Sequence, residues 1–199
     1  MYLKYIKRLT DIILSTLAII ITFWLFIILF FMIKITSKGP MFFRQKRFGK
    51  GGSLFYILKF RTMRKETPSD TPTHLLKNPE QYITFVGKFL RKTSLDELPQ
   101  LFNILMGDMT IVGPRPALWN QFDLIQEREK YGANDVKPGL TGWAQINGRD
   151  ELPIQIKAKL DGEYIEKMGF IFDLKCILKT ISCVIKQNGL KEGTAEVSE

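Results

Sequence analysis

Histidine is almost missing from this chain. Of 199 residues only His74 is one, and it stands in a polar loop without cysteine or acidic partners at ligand spacing. That excludes both a histidine-based metal site and a histidine-dependent triad. Cysteine is nearly as scarce. Cys176 and Cys183 lie seven residues apart in an apolar stretch, and two helical turns would separate their Cα atoms by about 10 Å, too far for a disulfide. They read as reduced thiols, and nothing points to an oxidising compartment. Charge is absent from Ile12 to Ile33, a run of 22 residues broken only by Ser15, Thr16 and Thr22. No proline occurs before Pro40, and no acid occurs from residue 34 to residue 50.

The uncharged run is long enough for a membrane helix. A secretory signal has a shorter apolar core ending in small residues, whereas this run ends Phe30-Phe31-Met32-Ile33-Lys34, so the segment is expected to stay. Basic residues flank it on both sides: Lys4, Lys7 and Arg8 before, and Lys34, Lys38, Arg44, Lys46, Arg47 and Lys50 after. The positive-inside rule pulls both ends toward the cytoplasm. Two topologies stay open, a single-pass anchor and a helix that enters and leaves by the same face. Overall the chain carries 29 Lys+Arg against 20 Asp+Glu, which suits a polyanionic partner: nucleic acid, an anionic membrane or a phosphate-rich substrate.

Three segments follow from these shifts: an anchor over 1–36, one compact unit over 37–186 and a polar tail over 187–199. The unit reads as α/β of the α+β kind, mostly helical and without internal repeats. Residues 41–48 and 54–60 around Gly49-Lys50-Gly51-Gly52 predict a hairpin. Asn78-Pro79 predicts a helix start carrying Tyr82, Phe85, Val86 and Phe89. Another helix is expected from Leu95 to about Met106, stopped by Gly107. Ile165 to Lys186 reads as one basic amphipathic helix, lying on a membrane surface or packed on the core.

Ser94-Leu95-Asp96-Glu97 fits a capping box with Ser94 as cap. The carboxylates have a structural reading in a helix's first turn. They also have a chemical one: such a terminus favours phosphate, with one acid as nucleophile and one as metal ligand. Val112-Gly113-Pro114-Arg115-Pro116 holds an arginine between prolines, and an arginine fork suits phosphate oxygens. The glycines of Lys137–Arg149 serve equally as turn residues.

Taken together, Lys59-Phe60-Arg61-Thr62-Met63, Ser94 to Asn103, Gly107-Asp108-Met109, Val112 to Pro116 and Lys137 to Arg149 resemble, in order, the blocks of the bacterial sugar transferases. These are small monotopic polyprenol-phosphate phosphoglycosyl transferases. The resemblance implies an N-terminal re-entrant membrane helix followed by a small catalytic domain, with a short hairpin and amphipathic interfacial helices. It implies sugar-1-phosphate transfer from a UDP-sugar to undecaprenyl phosphate with release of UMP, on the cytoplasmic face of the bacterial inner membrane. Asp96 would be the nucleophile that carries a phosphosugar, and Glu97 the Mg²⁺ ligand. Lys59, Arg91, Arg115, Lys137 and Arg149 would bind phosphate, with Asp161 a further acidic position of the substrate site. Membrane lipid is an implied partner and nucleic acid is not; the oligomeric state stays open, a homodimer among the options.

Two positions depart from the family pattern. Lys137-Pro138-Gly139 replaces Arg-Pro-Gly, which keeps a charge and loses a fork. Phe23-Trp24 stands where the family's Ser-Pro breaks the membrane helix, so a bend here would rest on the Thr22 hydroxyl bonding back to Ala18. Two rivals remain, a basic membrane protein that holds nucleic acid and a catalytically dead scaffold. The first leaves Asp96-Glu97 without work, and the intact pair argues against the second.

Overall fold

The computed structural model describes residues 2–64, 66–67, 79–148 and 152–186. After one wide turn over Tyr2–Ile6, helix α1 runs unbroken from Lys7 to Thr36. One stripe of α1 is covered. Asp11, Ser15, Leu29 and Ile33 are buried, while Ala18, Ile19, Leu25 and Phe26 pack against the domain's apolar clusters. These positions recur at three- and four-residue spacing, which is the helical period. Ile20, Ile21, Trp24, Phe31 and Ile35 are exposed and remain apolar. The Thr22 hydroxyl does donate to the Ala18 carbonyl, at 2.6 Å, and the helix continues through it.

The expected hairpin forms. Strands β1 (Phe42–Phe48) and β2 (Leu54–Phe60) pair antiparallel, Phe42 opposite Phe60 and Phe48 opposite Leu54. Along β2, Phe55 and Ile57 share one face and enter one apolar cluster, while Phe60, on the opposite face, enters another. Phe60 meets Leu29 and Ile33 of α1 and Val86 and Leu90 of the next helix, and Phe26 contacts both Phe60 and Phe102. Phe55 and Ile57 meet Leu101, Ile104 and Met109.

Three helical expectations need correction. The segment after Pro79 is a short 3-10 turn (Pro79–Tyr82), and α2 covers only Phe85–Lys92. Its cap is Thr84, whose hydroxyl accepts from the Gly87 N–H at 2.9 Å; Asn78 lies outside the described residues. Leu95–Glu97 is likewise a 3-10 turn, and α3 begins at Gln100 and ends at Met106. Pro99 is the cause, because it has no N–H to continue an i→i−4 ladder from Leu95. The bonds here close instead over three residues, Leu98 to Leu95 and Phe102 to Pro99. Gly107 ends α3 with φ 95°, as expected. Finally, the long basic helix is two helices, α6 (Ile154–Lys167) and α7 (Phe170–Lys186), parted at Met168-Gly169.

Between α3 and α6 lie β3 (Thr110–Val112) and β4 (Gly139–Thr141), a parallel pair, with α4 (Phe122–Glu129) in the crossover and α5 (Trp143–Ile146) after it. Val112, Tyr164 and Cys176 form a third cluster. Cys176 and Cys183 are both free, and burial pushes the Cys176 thiol up to about 11, which makes it inert.

Gly87 faces the end of the hairpin so closely that a Cβ there would sit on the Thr62 carbonyl. Gly→Ala inside a helix usually stabilises by up to about 1 kcal/mol. Here Gly87→Ala should instead cost about 1–3 kcal/mol by overpacking, read as a lower melting temperature of the purified protein. A rise would show that α2 has room to shift.

Candidate active site

Four elements meet at one point. The end of β2 supplies Lys59, and the last turn of α2 supplies Arg91. The 3-10 turn supplies Asp96 and Glu97, and the segment after β3 supplies Arg115. Each is placed for a local reason. Strand alternation puts Lys59 on the face opposite Phe60, where its Nζ donates to Glu97 Oε1 at 2.8 Å. Arg115 Nη2 reaches the same oxygen at 3.1 Å. Arg91 Nε donates to Thr62 Oγ1 at 2.9 Å, fixing the guanidinium beside the hairpin's end.

Between α2 and the turn, Ser94 holds φ 56° and ψ 16° and makes no capping bond. It is the one non-glycine residue at positive φ among the described residues. A left-handed serine is uncommon and costs energy that the surroundings must impose. It reverses the chain so that Asp96 and Glu97 face back toward Arg91. The capping-box reading of Ser94 is therefore wrong, and so is the helix N-terminus drawn there: the positive potential comes from side chains.

Asp96 is buried, 8% exposed. Burial raises its pKa above the ordinary carboxylate value, and Lys59 opposes the shift most strongly; adjacent Glu97 adds to it, and Arg91 and Arg115 oppose it. A desolvated carboxylate ringed by cations combines nucleophilic character with a place for phosphate oxygens. Among the described residues no group of three or more His, Cys, Asp or Glu gathers as a metal cage. The hard oxygens of Asp96 and Glu97 suit magnesium, which commonly takes one or two carboxylates and completes its shell from substrate phosphates and water.

Not every residue singled out from the sequence is here. Lys137 points to the C-terminal end of α3, its Nζ 3.4 Å from where a Cβ on Gly107 would stand, with Arg8 Nη2 3.6 Å from the same point. Burial and then Arg8 lower its pKa. Asp161 lies one layer back, with Arg128 Nε donating to its Oδ2 at 2.8 Å. Burial raises the Asp161 pKa against the pull of Arg128. Arg149 lies outside the described residues.

The sequence reading missed the scaffold that holds Arg115. Val112 O accepts from Lys7 Nζ and from the Tyr164 hydroxyl, both at 2.9 Å. Pro114 O accepts from Gly139 N, Arg115 O from Arg128 Nη1, Pro116 O from Arg47 Nη1, and Ala117 O from Phe48 N, at 2.8 to 3.0 Å. The two prolines were the only available signal, since they remove donors and leave these carbonyls to be satisfied from elsewhere.

Comparison with known proteins places the whole described chain in one family. The family described as bacterial sugar transferase matches residues 2–187. An uncharacterized sugar transferase, EpsL of Bacillus subtilis, is 37% identical over 94% of this chain and 91% of its own length. The UDP-glucose:undecaprenyl-phosphate glucose-1-phosphate transferase of Xanthomonas campestris is 39% identical over 94% of this chain, which spans 40% of that protein. The undecaprenyl-phosphate galactose phosphotransferase of Salmonella typhimurium is 36% identical over 94% of this chain and 42% of its own length.

A measurable consequence concerns Asp96. Its folded-state pKa lies above that of the unfolded chain, so ionising it costs stability. The cost is present above the folded pKa and absent below the unfolded one. Asp96→Asn should therefore melt higher than the parent at about pH 7.5, with the gap closing toward about pH 4. A variant that melts lower at neutral pH would show that the surrounding cations outweigh burial.

Proposed function

Since the chain belongs to the bacterial sugar transferase family, we propose that it moves a sugar-1-phosphate from a UDP-sugar to undecaprenyl phosphate through a phosphosugar held on Asp96, as an early step of glycan assembly. The observation that carries this reading is the buried Asp96 with Lys59, Arg91 and Arg115 around it and Glu97 beside it. An Asp96 carboxylate oxygen attacks the β-phosphorus of the UDP-sugar. The bond from that phosphorus to UMP breaks, and UMP leaves with the electron pair. A phosphate oxygen of undecaprenyl phosphate then attacks the same phosphorus, breaks its bond to Asp96 and frees the carboxylate. Lys59, Arg91 and Arg115 balance the charge on the non-bridging oxygens, where fixed cations in a dry site act most strongly. Mg²⁺ held at Glu97 would add charge neutralisation on the diphosphate.

The same cluster would hold a divalent cation better with a diphosphate bound than alone. Glu97 is engaged by Lys59 and Arg115, and the cluster sets three cations against two carboxylates. Such a site attracts a diphosphate before it attracts a divalent cation. Mn²⁺ followed by electron paramagnetic resonance should stay free with protein alone, and bind through the protein in the presence of UDP beyond what UDP itself takes up. Tight binding to the protein alone would overturn that order.

Helix α1 supports a placement at the cytoplasmic face of the membrane. Its covered stripe runs from Lys7 to Ile33, a rise of about 40 Å at 1.5 Å per residue. One domain lines that whole length. Lys7 is tied to Asp173 at one end, and Arg61 donates to the Ser37 carbonyl at the other. A straight crossing would carry one of these polar ends through a hydrocarbon core of about 30 Å. Keeping α1 along the cytoplasmic face leaves both in water, in line with the flanking charges. Helix α7 supports a lipid surface, since it exposes Phe170, Ile171, Leu174, Leu178 and Ile181 beside Lys175 and Lys179.

Two tests bear on the reading. Asp96→Asn should lower UMP release at least about 10³-fold, and Arg115→Ala about 10²-fold, against a panel of UDP-sugars. An Asp96→Asn protein with the parent's rate would sink the covalent route. For topology, Leu3→Cys and Lys38→Cys, each in a background lacking Cys176 and Cys183, should both resist an impermeant thiol reagent in intact spheroplasts. Labelling of one alone would show a straight span.

A further inference from the structure

A buried arginine outside the cluster faces its backbone. Arg128, on the last turn of α4, is 4% exposed, and Asp161 on α6 is 1% exposed. Arg128 Nε and Nη2 lie 2.8 and 2.6 Å from Asp161 Oδ2, while Nη1 donates to the carbonyl of Arg115 at 2.9 Å. For packing alone this pair is a poor choice, because two charges taken out of water cost more than a hydrophobic pair of similar volume. What it does that a hydrophobic pair cannot is present a rigid donor to one carbonyl. The Nε hydrogen bond and the Nη2 ion pair on that one carboxylate oxygen, with the Nη1 bond to the carbonyl, hold the guanidinium in one orientation.

That carbonyl belongs to the residue whose side chain reaches the site. Fixing Arg115 O at 2.9 Å fixes the Arg115 backbone, from which its guanidinium extends to Glu97 Oε1 at 3.1 Å. We propose that Arg128, oriented by Asp161, is a positioning residue for phosphate transfer, setting where the Arg115 guanidinium meets the donor's phosphates. This rests on the phosphate role given to Arg115 above. It also gives Asp161 work one layer behind the substrate instead of in contact with it. Lysine in place of Arg128 keeps the charge but cannot hold Asp161 and the carbonyl together in one plane.

The test is a double-mutant cycle on the full chain in lipid nanodiscs, reading UMP release and melting temperature. Arg128→Lys should lower kcat/KM for the UDP-sugar about 30-fold, since a displaced charge of about 1 Å costs on the order of 10²-fold. In an Arg115→Ala background the same change should cost less than about 2-fold, because nothing is left to position. Its effect on melting temperature should be equal in both backgrounds. Equal fold-losses in both backgrounds, with Arg115→Ala damaging by itself, would overturn the positioning role and leave the proposed function standing. An Arg115→Ala protein with full activity would overturn the positioning role together with the phosphate role given to Arg115, again leaving transfer itself standing. Should Arg128→Lys fail to fold, Asp161→Asn frees the fork while keeping Arg128, and it must show the same dependence on Arg115.

Discussion

One ammonium group ties the membrane helix to the rest of the molecule. Lys7 Nζ is shared by the Val112 carbonyl, the Tyr164 hydroxyl and the Asp173 carboxylate. It thus joins α1, β3, α6 and α7 at a single atom. Around it, Tyr2 also donates to Asp173, Tyr164 donates to both Val112 O and Asp173, and the two oxygens of Asp11 accept from Thr110 Oγ1 and Ile111 N. Partly buried charges are tolerated only when their bonding capacity is filled, and here it is filled across four elements. The strand so held is the one that delivers Arg115.

The site itself balances two opposed effects. Burial pushes Asp96 toward its neutral form, while Lys59, Arg91 and Arg115 pull it toward the charged form. Without the cations burial would push the carboxylate further toward its neutral form, and without the burial it would be ordinarily solvated. Ser94 in its left-handed conformation is the local strain that keeps Asp96 turned into this environment. Strain, burial and like charge on adjacent residues all oppose folding, and the apolar clusters under the hairpin and α3 offset them.

How much was legible in the sequence depended on the range of the interaction. The uncharged run gave α1, and two aromatic-rich runs around a glycine-rich turn gave the hairpin, because both patterns are local. Lys59, Arg91, Asp96, Glu97 and Arg115 do converge, but only the resemblance grouped them; no spacing rule brings together residues from four elements. The helix reading of Leu95 to Met106 failed on Pro99, whose missing N–H outweighed a good capping pattern. The membrane-surface helix was drawn as one piece because apolar spacing runs on through Gly169. Arg128 could not be read at all. Its partners are a carboxylate 33 residues away and a backbone carbonyl, and carbonyls have no letter in a sequence.

The covered stripe of α1 has a practical consequence. The segment that anchors this chain is also a wall of its interior. Cutting the chain after Thr36 would uncover Phe60, Leu90, Ile104 and Met109, all at most 1% exposed with the helix in place, and would strip Lys7, Arg8 and Asp11 from their partners. A fragment prepared that way to avoid detergent would carry a new apolar surface and several orphaned carbonyls, and would aggregate. Solubility has to be engineered on the outer face of α1, at Ile20, Ile21, Trp24 and Ile35, whose side chains are mostly exposed.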